Sequence, residues 1–511
     1  MQCSGFLKNW DQIADDSRLA VRDETGESSF KEVTFRAKRI CERLLQGRKS
    51  LSGIRIGILV EPGVSFVSSF LGVLSAGGTA VVLSPLHPSS ESAYFCKDAG
   101  VETVLASKAW KSRVTEFAPQ LPILIVDGMN ENRSESFPHT LVSEIATPFI
   151  EEKAPALQLY TSGTTGKPKG AVLSHENLSA QQTLLKDAWG LQSSDILLHT
   201  LPLHHMHGLC IALWSVLGAG GCVSFLYPFD AARVWNAMRD ATVFMAVPTI
   251  YSKIITCWEN ASPQLQESWR TSAKNLRLAT SGSAALPVTL AEKWKTFTGK
   301  YPLERFGMTE VGVALSNPLS GERKPGRVGL PLPSVHYKIM NELGEASEEG
   351  ELWIAGPSVF SEYFERPEST QAVFEEREGI QFFKTGDTVR RDEDGYFQIL
   401  GRNSVDILKS GGYKLSAIEI EEVFREHPAI AEVAVVGLPD EVWGDRVIAC
   451  IVLKKDLDIE SSEDTLRAFA KSRLASYKVP KQIVFYDKLP ANALGKVLKK
   501  DLIKNLLSDS I

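Results

Sequence analysis

The stretch Tyr160–Gly170 reads YTSGTTGKPKG and combines the groups a polyphosphate needs. Gly163, Gly166 and Gly170 leave backbone N–H groups accessible. Thr161, Ser162, Thr164 and Thr165 add hydroxyl donors, and Lys167 and Lys169 add positive charge. The run is not a Walker A loop, because Pro168 stands where that motif requires Ser or Thr after the Gly-Lys pair. A surface hairpin without a ligand is the plain alternative. Lys-Pro-Lys beside four hydroxyls weighs against it.

Three later segments carry groups that would complete a nucleotide site. TSGSAALP at Thr280–Pro287 sets Gly282, Ser283 and Ala284 in a turn at a strand end, where open α/β sheets bind ligands. ERFGMTE brings Glu304, Arg305, Phe306, Thr309 and Glu310 into one run. Phe306 is suited to stack on a purine, Thr309 to bond a phosphate oxygen, and Glu310 to hold Mg²⁺, a hard cation that prefers oxygen. A core aromatic, a helix cap and a solvated acid are equally ordinary readings of the three. KTGDTVRRDEDG places Asp387 behind two phenylalanines, where a carboxylate accepts both hydroxyls of a ribose, with Arg402 to assist.

Two further segments bear on a second substrate. LPLHHMHGL at Leu201–Leu209 has three histidines in four positions, yet no acid stands close by, which disfavours a metal cluster although Cys210 follows. SNPLSGERKPGRVGLPLP at Ser316–Pro333 contains Arg323. A short dicarboxylic acid needs a cation for its distal carboxylate, since an unpaired buried charge is costly, and arginine offers a planar two-point match. A surface loop of mixed charge is the alternative.

In order, YTSGTTGKPKG, ERFGMTE, FFKTGD, ILGR and LPANALGKVLKK resemble the adenylate-forming superfamily of acyl-CoA synthetases, peptide-synthetase adenylation domains and firefly-type luciferases, over nearly the whole chain. The resemblance implies ATP, Mg²⁺ and coenzyme A as reactants or cofactors. It implies that Phe306 flanks adenine, that Gly282, Ser283 and Ala284 line its pocket, and that Asp387 and Arg402 bind the ribose. Thr309 then meets the α-phosphate, Glu310 coordinates Mg²⁺, and the 160–170 loop handles the outer phosphates. Lys496 matches the catalytic lysine, and the loop around Lys409, Gly411 and Gly412 approaches for transfer to the thiol after the small domain rotates. The pivot, Ser404 or Val405, stays open, because Gly401-Arg402-Asn403-Ser404-Val405-Asp406 departs from the usual pattern. His205 or His207 falls to the acid site. Within the superfamily the likeness is strongest to malonyl-CoA synthetases, which implies malonate as the acid and Arg323 as the partner of its distal carboxylate. A ligase for another short- or medium-chain acid, or a non-catalytic nucleotide-binding protein, are the alternatives.

The elements that must position these residues follow from hydrophobic patterning. RIGILV, TAVVLS and ETVLAS read as buried strands, with a helix over Ser65–Gly78 between them. A second α/β unit is expected from Ala156, with strands in SDILLHTLPL, CVSFLY, TVFMAVP and LRLATSG. After Gly321 short, half-polar strands and turn residues predict a β-rich subdomain. The expected organisation is α/β: residues 1–400 form a large region of two α/β subdomains plus the β-rich one, and 401–511 form a small mobile α+β domain.

Composition fixes the class. In 511 residues, 43% hydrophobic and 23% charged is ordinary globular usage. A net charge of -6 gives no whole-chain basic field, so nucleic acid is not an expected partner. Seven scattered cysteines fit a reducing compartment rather than a disulfide scaffold. The N-terminus shows no secretory h-region and no apolar run reaches membrane-spanning length, so a cytoplasmic protein without an integral membrane segment is expected.

Overall fold

The computed structural model describes residues 5–127, 148–161, 167–411, 413–440, 442–454, 461–491 and 496–508. Two large sheets form the bulk of the fold. One runs in the order Leu330–Pro331, Gly312–Ser316, Leu303–Met308, Leu278–Ser281, Val243–Ala246, Ile196–His199, Cys222–Phe225, Leu19–Asp23 and Gly26–Ser29. Neighbours from Leu303–Met308 through Leu19–Asp23 are parallel, and antiparallel pairs close both ends. The other runs in the order Glu362–Tyr363, Lys169–Ser174, Pro155–Thr161, Thr79–Val82, Arg55–Leu59, Val101–Ala106 and Ile123–Ile125. Strands such as Thr79–Val82 and Val243–Ala246 are buried at every residue, as parallel strands covered on both faces must be.

The two sheets are not assembled from consecutive halves of the chain. Leu19–Asp23 and Gly26–Ser29 join the sheet built mainly from residues after 195, while Pro155–Thr161 and Lys169–Ser174 join the sheet begun by the first hundred residues. The expected division at Ala156 is therefore corrected. Local periodicity identifies a strand but says nothing of its long-range partner.

Helix Phe30–Leu45 shows how local chemistry sets these elements. Ser29 and Glu32 form a reciprocal capping box at its start. Phe30, Val33, Ala37, Ile40, Cys41 and Leu44 recur at helical spacing and are buried, each large apolar side chain contributing roughly 1.5–3 kcal/mol. Gly72 of helix Val64–Ser75 lies directly against Ile40, so the two helices close on each other.

An antiparallel sheet of His336–Met340, Glu349–Ala355, Ile380–Arg391, Phe374–Arg377 and Phe397–Arg402 forms the β-rich part. It ends at Arg402. The next strand, Ile407–Ser410, begins a fourth sheet with Tyr413–Ser416, Gly444–Leu453, Ile430–Asp440 and Gln482–Phe485. Helices Ala417–Arg425, Glu463–Lys471 and Lys499–Ser508 accompany that sheet in the smaller C-terminal α+β part. No helix among the described residues is long and apolar enough to cross a membrane. The described cysteines are free thiols.

Candidate active site

A cavity of about 870 Å³ opens where the two large sheets, the β-rich sheet and the C-terminal part meet. Thr161 and Lys169 reach it from the two strands flanking the phosphate loop. Ser283 reaches it from the turn after Leu278–Ser281, and Arg305, Thr309 and Glu310 from strand Leu303–Met308 and the turn beyond. Arg402 lines another wall, and Lys496 enters from the C-terminal part. Ser162–Gly166 and Gly412 lie outside the described residues. Lys167 is exposed, its amine 5.4 Å from the Tyr94 ring centroid.

His205 and His207 line the same cavity on either side of Met206. His207 opens a π-helical segment, His207–Trp214, an i→i+5 winding often found at functional sites. Gly208 permits it, since a Cβ there would stand 2.2 Å from the Pro202 carbonyl oxygen. The Gly208 carbonyl is met by His199 Nε2 at 2.9 Å. Burial pushes His205 and His199 down to about 4 and His207 well below its ordinary value, so the three rings are neutral at pH 7. His207 Nδ1 lies 3.1 Å from Ser283 Oγ, while its Nε2 is buried without a partner among the described residues.

Arg305 is the most unusual group in the cavity. It is 3% exposed, and its Nε and Nη2 have no hydrogen-bond partner among the described residues. Its guanidinium fills the space over Gly282, where a Cβ would come within 2.5 Å of Cζ. Desolvation lowers its pKa to about 9, a measure of the penalty for holding this cation away from water. Strand alternation explains why Arg305 and Gly307 line the cavity while Glu304 does not. Glu304 instead accepts the Gly326 N–H at 3.0 Å, and burial raises its pKa to about 8. In this arrangement its carboxyl group fastens the 326 loop. Phe306 packs against the main core. Ala284 is exposed beside Ser283.

Arg323 also departs from expectation. Its guanidinium donates to the carbonyl oxygens of Tyr301 at 2.8 Å, Leu319 at 3.0 Å and Pro318 at 3.3 Å. It is not among the residues lining the cavity. In this arrangement the fork is engaged by three backbone acceptors and closes the loop around residues 318–323 rather than facing the cavity.

Asp387 is buried and pairs with Arg402 Nε at 2.9 Å through one oxygen, while Oδ2 has no partner among the described residues. Burial raises its carboxyl to about 6, against the opposing pull of Arg402 and Lys496. Lys496 is crowded by protein, which lowers its pKa, and the charge of Arg402 acts in the same direction. Beyond Arg402, Lys499 is held between Asp406 and Glu421 at 2.6 Å each, and Asp406 accepts the Arg402 N–H at 3.0 Å. Lys409 is exposed and pairs with Glu342 at 3.3 Å, and Gly411 lies against the Trp443 ring.

A model of the AMP-binding enzyme family matches residues 10–364, and one of the AMP-binding enzyme C-terminal domain matches residues 419–496. The chain is 39% identical over 535 residues to a malonate–CoA ligase of Arabidopsis thaliana, covering 96% of this chain and 86% of that one. Its fold is similar to ATP-bound MatB from Rhodopseudomonas palustris, with TM-score 0.88 and 33% identity across 100% of both chains. It is also similar to a malonyl-CoA ligase in a ternary product complex with methylmalonyl-CoA and AMP. There the TM-score is 0.66 at 34% identity, over 93% of this chain and 97% of that one.

Proposed function

This chain belongs to the AMP-binding enzyme family, and within it we propose a malonate–CoA ligase that forms malonyl-AMP and pyrophosphate from malonate and ATP, then passes the malonyl group to coenzyme A with release of AMP. At the coarser level it is an AMP-forming acid–thiol ligase acting on a carboxylic acid through an acyl-adenylate. Arg305 carries the choice of acid. A buried guanidinium with two unmet donors costs several kcal/mol unless an anion meets it, and the distal carboxylate of a dicarboxylic acid meets both donors at once. The Nε2 of His207 is a further unmet atom in the same cavity wall.

The first half-reaction needs no general base, because the proximal carboxylate is already ionised and is the nucleophile. Its attack on the α-phosphorus crowds negative charge. Lys496, as an ammonium, touches both partners and lowers that barrier, and Thr309 bonds the α-phosphate. Asp387 offers its unmet Oδ2 to a ribose hydroxyl, with Arg402 fixing the other oxygen. Gly282, Ser283, Ala284 and Phe306 bound the adenine side, and Lys167 and Lys169 serve the outer phosphates with the loop that precedes them.

Glu310 is the residue that would hold Mg²⁺. No group of three or more potential metal-ligating His, Cys, Asp or Glu side chains occurs among the described residues, and one buried carboxylate beside the Thr309 hydroxyl suits a cation that keeps phosphate and water as its other ligands. When bound, Mg²⁺ neutralises phosphate charge.

Transfer to the thiol needs a second arrangement in which the C-terminal part turns, Lys496 withdraws and the loop at Lys409, Gly411 and Gly412 approaches. The higher TM-score to the ATP-bound relative than to the CoA product complex, at nearly equal identity, supports such a rigid-body difference. An apolar cavity of about 310 Å³, sharing Leu201, Pro202 and Val247 with the acid cavity, offers a path for the arm of coenzyme A. Purified protein given malonate, ATP, Mg²⁺ and coenzyme A is expected to yield malonyl-CoA and AMP in equal amounts by mass spectrometry. Absence of malonate-dependent AMP release refutes the assignment.

A further inference from the structure

We propose that Tyr363 is a positioning residue that fixes the Glu310 carboxylate for the metal and ties it to the strand bearing Lys169. The inference rests on the reading of Glu310 as the Mg²⁺ ligand.

Its basis is the short segment 358–364, which bonds in two directions. Toward the phosphate-loop strand, Ser361 N donates to the Val172 carbonyl at 3.1 Å and Phe364 N to the Gly170 carbonyl at 2.8 Å. Glu362 and Tyr363 thereby pair antiparallel with Val172 and Ala171 of strand Lys169–Ser174. Toward the Thr309–Glu310 turn, Phe360 N donates to the Glu310 carbonyl at 2.8 Å and Ser358 Oγ to the Val311 carbonyl at 3.0 Å. The Tyr363 hydroxyl completes the set, donating to Glu310 Oε1 at 2.8 Å.

That last bond has a consequence for the carboxylate. A glutamate side chain rotates broadly about its terminal torsion. Occupying Oε1 selects one orientation and leaves Oε2 for a hard cation. Both partners are buried, Tyr363 at 7% and Glu310 at 5% exposure, so water competes poorly for the bond. The phenol is itself held edge-on by Phe360, with ring centroids 4.8 Å apart. On its face, Lys169 Nζ stands 5.2 Å from the ring centroid. One aromatic ring thus touches the anion assigned to the metal and a cation assigned to the phosphates. Partners of this kind commonly change metal affinity by roughly 10–100-fold when removed.

Tyr363→Phe removes the hydroxyl and keeps the ring, its Phe360 packing and its Lys169 contact. The full-length protein with ATP is titrated with Mn²⁺, free Mn²⁺ being read by electron paramagnetic resonance, and ATP binding is measured separately by calorimetry in EDTA. Mn²⁺ affinity of the ATP complex is expected to fall about tenfold, with metal-free ATP affinity unchanged. Glu310→Gln serves as the reference and is expected to lose more. If Glu310→Gln leaves the Mn²⁺ titration unchanged, the metal reading fails and the inference with it. If Glu310→Gln weakens Mn²⁺ binding and Tyr363→Phe does not, the metal reading stands and the inference is overturned. Equal weakening of Mn²⁺ and metal-free ATP binding by Tyr363→Phe also overturns it, since the hydroxyl then supports the pocket in general.

Discussion

Replacing Arg305 by Met separates a ligand-binding cation from a structural one. The side chain is 3% exposed with Nε and Nη2 unmet, so in the free protein it contributes a desolvation penalty without a compensating partner. Met fills a similar volume without the charge. Arg305→Met is therefore expected to leave the melting temperature of the free protein unchanged or to raise it. The opposite sign applies with acid bound. Removing one partner of a buried charged pair costs about 3–5 kcal/mol, and each 1.4 kcal/mol is about tenfold. Malonate kcat/KM is thus expected to fall by roughly 10² to a few times 10³, while ATP affinity measured without acid stays within about twofold of the parent. Coupled AMP release over a malonate series, calorimetric ATP binding and differential scanning calorimetry give the three readouts. A variant that melts lower and keeps its malonate kcat/KM refutes the reasoning, because Arg305 then stabilises the fold rather than the substrate.

Lys496→Ala is expected to abolish malonate-dependent ATP–pyrophosphate exchange while largely sparing thioester formation from supplied malonyl-adenylate; equal loss in both contradicts the two-arrangement account. Asp387, with its carboxyl raised to about 6, favours the folded state at low pH, and that contribution is lost as pH rises from its ordinary 3.8 through about 6. ATP binding, which uses the ionised carboxylate, is expected to weaken as pH falls through about 6, and calorimetry should show the step missing in Asp387→Asn. Arg323→Ala removes three bonds to backbone carbonyls, so thermal unfolding should report a loss of roughly 2–4 kcal/mol with malonate preference over monocarboxylic acids retained. Loss of that preference without loss of stability would restore Arg323 to the acid site.

The contrast between the two arginines shows what the sequence could carry. Charge type and motif order pointed to an arginine for a second carboxylate, and both Arg305 and Arg323 stood in the chosen segments. Which one faces the cavity depends on strand parity at Leu303–Met308 and on three carbonyls converging on Arg323, and neither is a matter of residue type. Parity was available in principle, since Arg305 and Gly307 must share a face and Glu304 the other. Tyr363 was not recoverable in that way. It lies 53 residues from Glu310, and only the pairing of Glu362–Tyr363 with the phosphate-loop strand brings them together. The buried strands were legible because complete burial leaves continuous apolar runs such as Val243–Ala246, whereas the exchange of strands between the two large sheets is a long-range choice that leaves no local trace.

The central claim, that this ligase selects an acid with a second carboxylate, is tested most directly by comparing malonate with butyrate, a monocarboxylic acid of similar size, as substrates for coenzyme A-dependent AMP release by the unmodified protein. The account predicts a kcat/KM for malonate at least about 10² higher, because butyrate leaves the Arg305 guanidinium buried and unmet. Equal or better use of butyrate would contradict it.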